Sequence, residues 1–242
     1  MMRHLLIVAA CVASLSVQGQ DAAYRRVLAF AGDATLRGYG VGLEWWQGQH
    51  DRQWLYSLDM HLVRDLHEVQ IDPFFGDQGR RYVYGKLNHF VVLAPSIGIQ
   101  QTLMPRNHLN FVGLRIGAKV GPAIGLLNPY HLEIFRPNPA TPFVGNRVVE
   151  AYDPVEHTYP RIIGRASLVS TQLDLSARIG LSVKGHLMFD FARGSQMING
   201  IRLALHADLF PEVVPIMAAR SDVENQRVFL GGSLGFILGG RW

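Results

Sequence analysis

At 242 residues the chain suits a single domain. Apolar residues make up 48% and charged residues 17%, and beyond the N-terminal segment no apolar run is long enough to cross a membrane as a helix. The membrane architecture that remains open is a closed β-barrel. The formal charge of +4 is spread as single Lys and Arg residues through apolar alternation, which excludes a nucleic-acid face and fits anionic lipid headgroups or acids inside a barrel.

Residues 1–19 read as a secretory signal peptide. Arg3 and His4 precede the apolar stretch Leu5 to Leu15, and Val17-Gln18-Gly19 supplies a small, polar end with cleavage expected after Gly19. Residues 20–242 are then the mature domain. The single cysteine, Cys11, leaves with the signal, so disulfides, thiolate metal sites and a cysteine nucleophile are excluded. A competing reading takes Val8-Ala9-Ala10-Cys11 as a lipoprotein box, but only Leu5 to Ala10 would then remain as its apolar core.

In a membrane barrel, side chains face lipid and lumen in turn, so each strand reads with a period of two. A weak segment at 24–32 opens the series. Over 38–46, Tyr39, Val41, Leu43 and Trp45 alternate with Gly38, Gly40, Gly42 and Glu44, and the glycines leave lumen space for longer side chains. Over 53–63, Trp54, Tyr56, Leu58, Met60 and Leu62 oppose Ser57, Asp59 and His61. A run at 87–101 follows. Over 109–121, Val112, Leu114, Ile116 and Val120 face out against Arg115, Gly117 and Lys119, with Leu114 expected at mid-strand. Over 176–191, Ile179, Leu181, Val183, Leu187 and Phe189 oppose Arg178, Ser182, Lys184, His186 and Asp190. Over 197–209, Ile201, Leu203, Leu205 and Leu209 oppose Arg202, His206 and Asp208, and 227–238 closes the series.

The expected fold is therefore all-β, an antiparallel, up-and-down transmembrane β-barrel of about eight strands with both termini on the periplasmic side. Connections at 47–52, 102–108 and 193–196 are expected there, and the longer 64–86, 136–175 and 211–226 outside the cell. A soluble β-sandwich or lipocalin-like barrel also alternates. It would, however, leave Gly38, Gly40 and Gly42 in solvent to no purpose, and Tyr39, Trp45, Trp54 and Tyr56 suit a membrane interface.

The segments Tyr82-Val83-Tyr84-Gly85-Lys86-Leu87-Asn88, Gly121 to Glu133, Tyr152-Asp153-Pro154 and Pro215-Ile216-Met217-Ala218 resemble a family of small outer-membrane barrels from Bacteroidota. The resemblance implies fold and an outer-membrane location; it implies no activity.

The candidate site is the lumen charge set: Glu44, Asp59, His61, Arg115, Lys119, Arg178, Lys184, His186, Asp190, Arg202, His206 and Asp208. An eight-stranded lumen is just wide enough for side chains to fill, so these residues are expected to pair into a plug. Arg115 and Lys119 are expected to meet acids drawn from Glu44, Asp59, Asp190 and Asp208. The function expected is a structural or accessory subunit of an envelope complex, without cofactor or metal. Its partners would be outer-membrane lipid and proteins docking on loops 64–86 and 136–175. Two alternatives are a narrow polar channel and a lipid A-modifying hydrolase or acyltransferase, whose nearest serine to a histidine on one strand face is Ser182, four before His186. Glu156 and His157 near Asp153 form a loop cluster to which no metal is assigned. Gly121, Pro122 and Gly125 read as a kinked or bulged strand end rather than a phosphate loop.

Overall fold

A computed structural model describes residues 25–48, 52–73, 79–105, 112–138, 141–167, 174–192, 196–218 and 224–242; the expected signal segment 1–19 lies outside them. Eight antiparallel strands close into a barrel: β1 (Arg25–Thr35), β2 (Gly38–Gly48), β3 (Arg52–Val63), β6 (Asn88–Met104), β7 (Gly113–Pro129), β11 (Ser176–Asp190), β12 (Met197–Leu209) and β13 (Val228–Arg241). Each pairs with its neighbour in the chain, and β1 closes on β13 from Val27 opposite Arg241 to Thr35 opposite Ser233. Closure leaves the barrel sheet without an unpaired edge.

The alternation expected from the sequence sets the faces throughout. Large apolar side chains stand exposed on the outer wall, among them Leu43, Leu58, Val120, Leu181, Leu203 and Leu234, while Glu44, Lys119, Arg202 and Asp208 point inward and are buried. Trp45 and Trp242 meet edge-on at 5.5 Å on the outer wall near the chain termini.

Gly48 and Arg52, Met104 and Gly113, and Asp190 and Met197 end and begin successive barrel strands at the same end as Arg25 and Arg241, the terminal end. Thr35 and Gly38, Val63 and Asn88, Pro129 and Ser176, and Leu209 and Val228 do so at the opposite, loop end. The strands overrun several expected boundaries. β7 was expected to stop at 121 and continues to Pro129, which puts Leu114 next to its first residue and Val120 at its middle.

The proline-marked stretch is also no strand end. β6 and β7 pair Leu93 with Ile124 and Ile97 with Val120, so one register runs across the gap and sets Pro95 opposite Pro122. Neither ring nitrogen carries a hydrogen to donate, so the ladder skips a rung there without slipping. The backbones close in at this point. A Cβ on Gly121 would lie 2.0 Å from the Pro95 carbonyl oxygen, and only glycine fits.

The long connection expected as a loop over 136–175 builds its own sheet from β8 (His131–Asn138), β9 (Thr141–Ala151) and β10 (Ile162–Arg165) in the order β10-β8-β9. Tyr82, Tyr130, Leu132, Ile134, Tyr152 and Ile162 form its buried core. A two-residue hairpin pair, β4 (Gln70–Ile71) with β5 (Tyr82–Val83), lies in the preceding connection.

Candidate functional site

Along the described part of the lumen, three layers follow one another. At the terminal end Val27, Trp46, Leu55, Met188, Ile198 and Ile237 belong to one apolar cluster. At the loop end Val63, Phe90, Leu127, Phe210, Ile216 and Phe229 belong to a second, in which the Phe90 ring lies 5.5 Å from Phe210 and 5.3 Å from Phe229. Between the two lie the charges.

The central layer holds three cations and three carboxylates: Lys119, Lys184 and Arg202 with Asp33, Glu44 and Asp59. Lys119 Nζ sits 3.0 Å from Glu44 Oε1 and 2.7 Å from Asp59 Oδ2. Lys184 Nζ lies 2.7 Å from Asp33 Oδ2, and Arg202 bridges Asp33, at 2.8 Å, to Glu44. Ser57 and Trp46 complete the shell. Ser57 Oγ accepts from Lys119 at 3.0 Å and donates to Asp59 at 3.0 Å, and Trp46 Nε1 donates to Glu44 Oε2 at 3.1 Å. The layer is formally neutral, which is the condition for holding charge in so small a space.

Two smaller groups flank it. Towards the terminal end, Asp190 takes both Arg115, at 3.6 Å, and Arg241, while the Arg115 guanidinium lies 5.3 Å from the centre of the Trp46 ring. Towards the loop end, His61 Nε2 lies 2.8 Å from Asp208 Oδ2, with the His206 ring 5.3 Å from that of His61. His186 is buried and bonds Gln100 Oε1 through Nε2 at 3.0 Å. Inward glycines make room for these side chains: a Cβ on Gly235 would fall 2.1 Å from Asp33 Oδ1, and one on Gly231 2.4 Å from His206 Cε1.

Of the twelve residues singled out from sequence, eleven lie in this interior. Arg178 does not join them: it sits at the loop end of β11, partly exposed, and pairs with Glu212. Lys119 meets Glu44 and Asp59, and Arg115 meets Asp190, whereas Asp208 serves His61. Asp33, Gln100 and Arg241 are members that the sequence reading missed. The alternation legible in sequence ends at residue 238 on β13 and at 32 on β1, one short of Asp33.

The chemistry of the layer is that of a filled interior. Beside it lies a cavity of about 20 Å³ lined by Asp33, Asp59, His61, Ser182, Lys184 and His206, enough for one water. Ser182 lines this cavity together with His61, whose Nε2 is taken by Asp208 Oδ2 at 2.8 Å, and among the described residues no hydrogen bond joins Ser182 to an imidazole. A nucleophilic serine needs that bond. His61, His206 and Asp208 bring one donor atom each within 4.8 Å of one another, a spacing that a cation would fit. In the outer sheet His157 is buried, accepting from the Asp153 backbone N–H through Nδ1 and meeting Glu150 through Nε2, with Glu156 outside that arrangement.

At the loop end the segments 82–88, 121–133, 152–154 and 215–218 converge. The Leu87 N–H donates to the Ile216 carbonyl at 2.8 Å and Asn88 Nδ2 to that of Pro215 at 2.7 Å, while Ala218 N–H reaches Gly85 at 2.7 Å. Tyr130 N–H then reaches Leu87, and Tyr152 N–H reaches Tyr130, each at 2.8 Å. Gly85 takes a φ of 85°, the left-handed conformation that the turn into β6 requires.

No family model matches the chain, and no curated protein matches it in sequence. Solved structures of similar shape include Neisserial surface protein A, at 9% identity and TM-score 0.41 over 93% of this chain and 100% of that one. The attachment invasion locus protein Ail of Yersinia pestis, solved with the heparin analogue sucrose octasulfate, is similar at 8% identity and TM-score 0.41 over 92% and 100%. The outer membrane protein OprG of Pseudomonas aeruginosa is similar at 10% identity and TM-score 0.35 over 94% and 99%.

Proposed function

We propose that the chain is an outer-membrane β-barrel that neither conducts nor catalyses, and that it works as a structural or accessory subunit of an envelope complex through its loop end. The observation that carries the membrane location is the outer wall. Exposed Leu, Val, Ile, Phe and aromatic side chains occur on all eight strands, with Leu205 74% and Leu230 63% exposed. Soluble monomers rarely expose contiguous apolar patches beyond a few hundred Å². Trp45, Trp54 and Trp242 gather towards the terminal end as an interfacial belt would. The resemblance of the 82–88 segment to Bacteroidota outer-membrane barrels agrees with this location.

The neutral charge layer between two apolar clusters supports the closed lumen, and a channel would need a gap in it. That Asp208 holds His61, with no hydrogen bond from Ser182 to an imidazole among the described residues, speaks against a lumen hydrolase. What remains for interaction is the loop end, where β8–β10 present a sheet with its own core.

Gentle-detergent capture of the tagged, full-length protein tests the accessory role. A stoichiometric envelope complex that is lost when the β8–β10 surface is altered is the expected result; capture of the barrel alone, together with steady conductance in a planar bilayer, would replace this reading with a pore.

A further inference from the structure

A groove of about 890 Å³ runs along the loop-end rim, between the ends of β2, β3, β6 and β7 and the segments that carry β5 and β10. That size lies within the range, about 300–1,000 Å³, of sites that hold discrete ligands. Its lining changes character along one direction. Leu62, Val91 and Leu126 are the last apolar members of the outward-facing series on β3, β6 and β7. On the same outward faces, one step closer to the rim, stand His89 and Asn128.

Above that line the groove is cationic. Arg37, Arg64, Arg81, Lys86 and Arg165 line it against two acids, Asp65 and Glu68. Both acids are engaged: Glu68 holds Lys86 at 2.6 Å and Asp65 holds the His67 ring at 2.8 Å. Arg81 pairs with Asp72 at 2.7 Å. Among the described residues Arg37, Arg64 and Arg165 have no carboxylate partner, and Arg37 Nη1 is buried without a hydrogen bond. The Arg64 guanidinium rests 5.5 Å from the centre of the Tyr39 ring, on the outer wall. Burial above all, with the nearby Arg64 and Arg165 adding to it, holds the Lys86 ammonium below its ordinary value even though Glu68 opposes the shift.

Arg37 turns towards the lumen, its guanidinium 5.7 Å from the centre of the Phe229 ring, so the groove's own cations without a carboxylate among the described residues are Arg64, on the outer wall beside Tyr39, and Arg165. With the apolar residues below them they match a molecule that carries phosphate at one end and acyl chains at the other. We propose that this groove binds the phosphorylated headgroup of an outer-leaflet lipid, whose acyl chains run down the outer wall of β3, β6 and β7. Guanidinium forks suit phosphate oxygens, and they do so best where part of the surrounding water is excluded. The inference rests on the membrane reading above and adds a ligand to its loop end.

The test uses the full-length protein, folded and extracted in detergent, with native mass spectrometry as the readout. The probes are bis-phosphorylated lipid A and the same lipid A after chemical dephosphorylation. The native protein is expected to retain the phosphorylated form about tenfold or more over the dephosphorylated one, the order of an added charge-assisted contact. Arg64→Gln with Arg165→Gln should bring the two to the same level while the heat-modifiable gel shift of the folded barrel persists.

Equal retention of both lipids by the native protein overturns the proposal without any variant. So does undiminished retention in the double variant, and so does displacement of lipid A by millimolar inorganic phosphate, which would make the groove a site for free anions. Failure of the chain to enter lipid vesicles at all would instead sink the membrane reading.

Discussion

Lys119→Met removes the central cation of the lumen. Its ammonium, 1% exposed, lies between Glu44 at 3.0 Å and Asp59 at 2.7 Å. At an effective dielectric of about 20 each of these pairs is a gross attraction of about 6 kcal/mol. Desolvation of the three groups offsets most of it, so the measurable quantity is the penalty for leaving carboxylates without their cation, about 3–5 kcal/mol. Asp59→Asn should be costly for the mirror-image reason, since Lys119 then faces one acid fewer. The double variant leaves Lys184 and Arg202 with Asp33 and Glu44, a layer that is again neutral. It should therefore lose less than the sum of the single losses, with a coupling of about 1–3 kcal/mol. The assay is urea unfolding from lipid vesicles, followed by tryptophan fluorescence. Asp190 belongs to a separate group with Arg115 and Arg241 and supplies the control, for which near-additivity with Lys119 is expected. Additive losses for Lys119 with Asp59 would refute the paired layer and point to a hydrated lumen.

Three further outcomes are expected. Leu203→Arg, at the middle of β12 on the outer wall, should cost about 2–4 kcal/mol of vesicle folding, and Leu209→Arg at the strand's end about 0–1; equal effects would mean that the wall does not face a bilayer. Gly235→Ala places a Cβ 2.1 Å from Asp33 Oδ1 and 2.4 Å from the Gly32 carbonyl oxygen, an overpacking of about 1–3 kcal/mol, whereas Gly185→Ala meets nothing within 4 Å and should be close to neutral in the same assay. In the outer sheet the Arg136 guanidinium bonded to Glu150, with His157 adding to it, holds the Glu150 carboxyl below its ordinary value of 4.5. A lowered carboxyl contributes stability that is present above 4.5 and fades as pH falls through the folded value. Amide exchange in β8 and β9 should accordingly separate Glu150→Gln from the native protein at neutral pH and cease to separate them in strong acid; the pair is exposed, so the separation is small.

The barrel was legible in the sequence because a two-residue period survives wherever one face forms an apolar outer wall and the other a crowded lumen. Tyr39 through Trp45 and Ile201 through Leu209 read directly onto the outer wall. The lumen charges were legible for the same reason, since they alternate with the apolar outer wall. What escaped is three-dimensional. Nothing local marks Asp33 as the acid that joins Lys184 to Arg202, because its partners stand on strands 151 and 169 residues away. Arg178 shares the inward period of Lys184 and His186, yet its height at the strand's end carries it to Glu212. The outer sheet was hidden by its prolines, which suggested a loop. Its core is assembled from single residues in separate stretches, Tyr82, Tyr130, Ile134, Tyr152 and Ile162. Ile134 is 2% exposed in that core.

The arrangement divides the molecule into two parts with different demands on the sequence. In the lumen each charged side chain is constrained by its neighbours' charge, so a single change there acts on stability and a compensating change restores it. At the loop end the constraint is of another kind. Lys86, held by Glu68 and lying 5.9 Å from the centre of the Tyr130 ring, joins the turn after β5 to the start of the outer sheet. The same turn is bonded to Ile216 and Pro215 in the last long connection, so three loops share one junction. Arg64 and Arg165 stand beside that junction but support none of these bonds. Replacing them should leave the barrel folded while changing what the rim binds, and replacing Lys119 should do the reverse. The lumen charges and the rim cations can therefore be varied independently, the first read in stability and the second in binding.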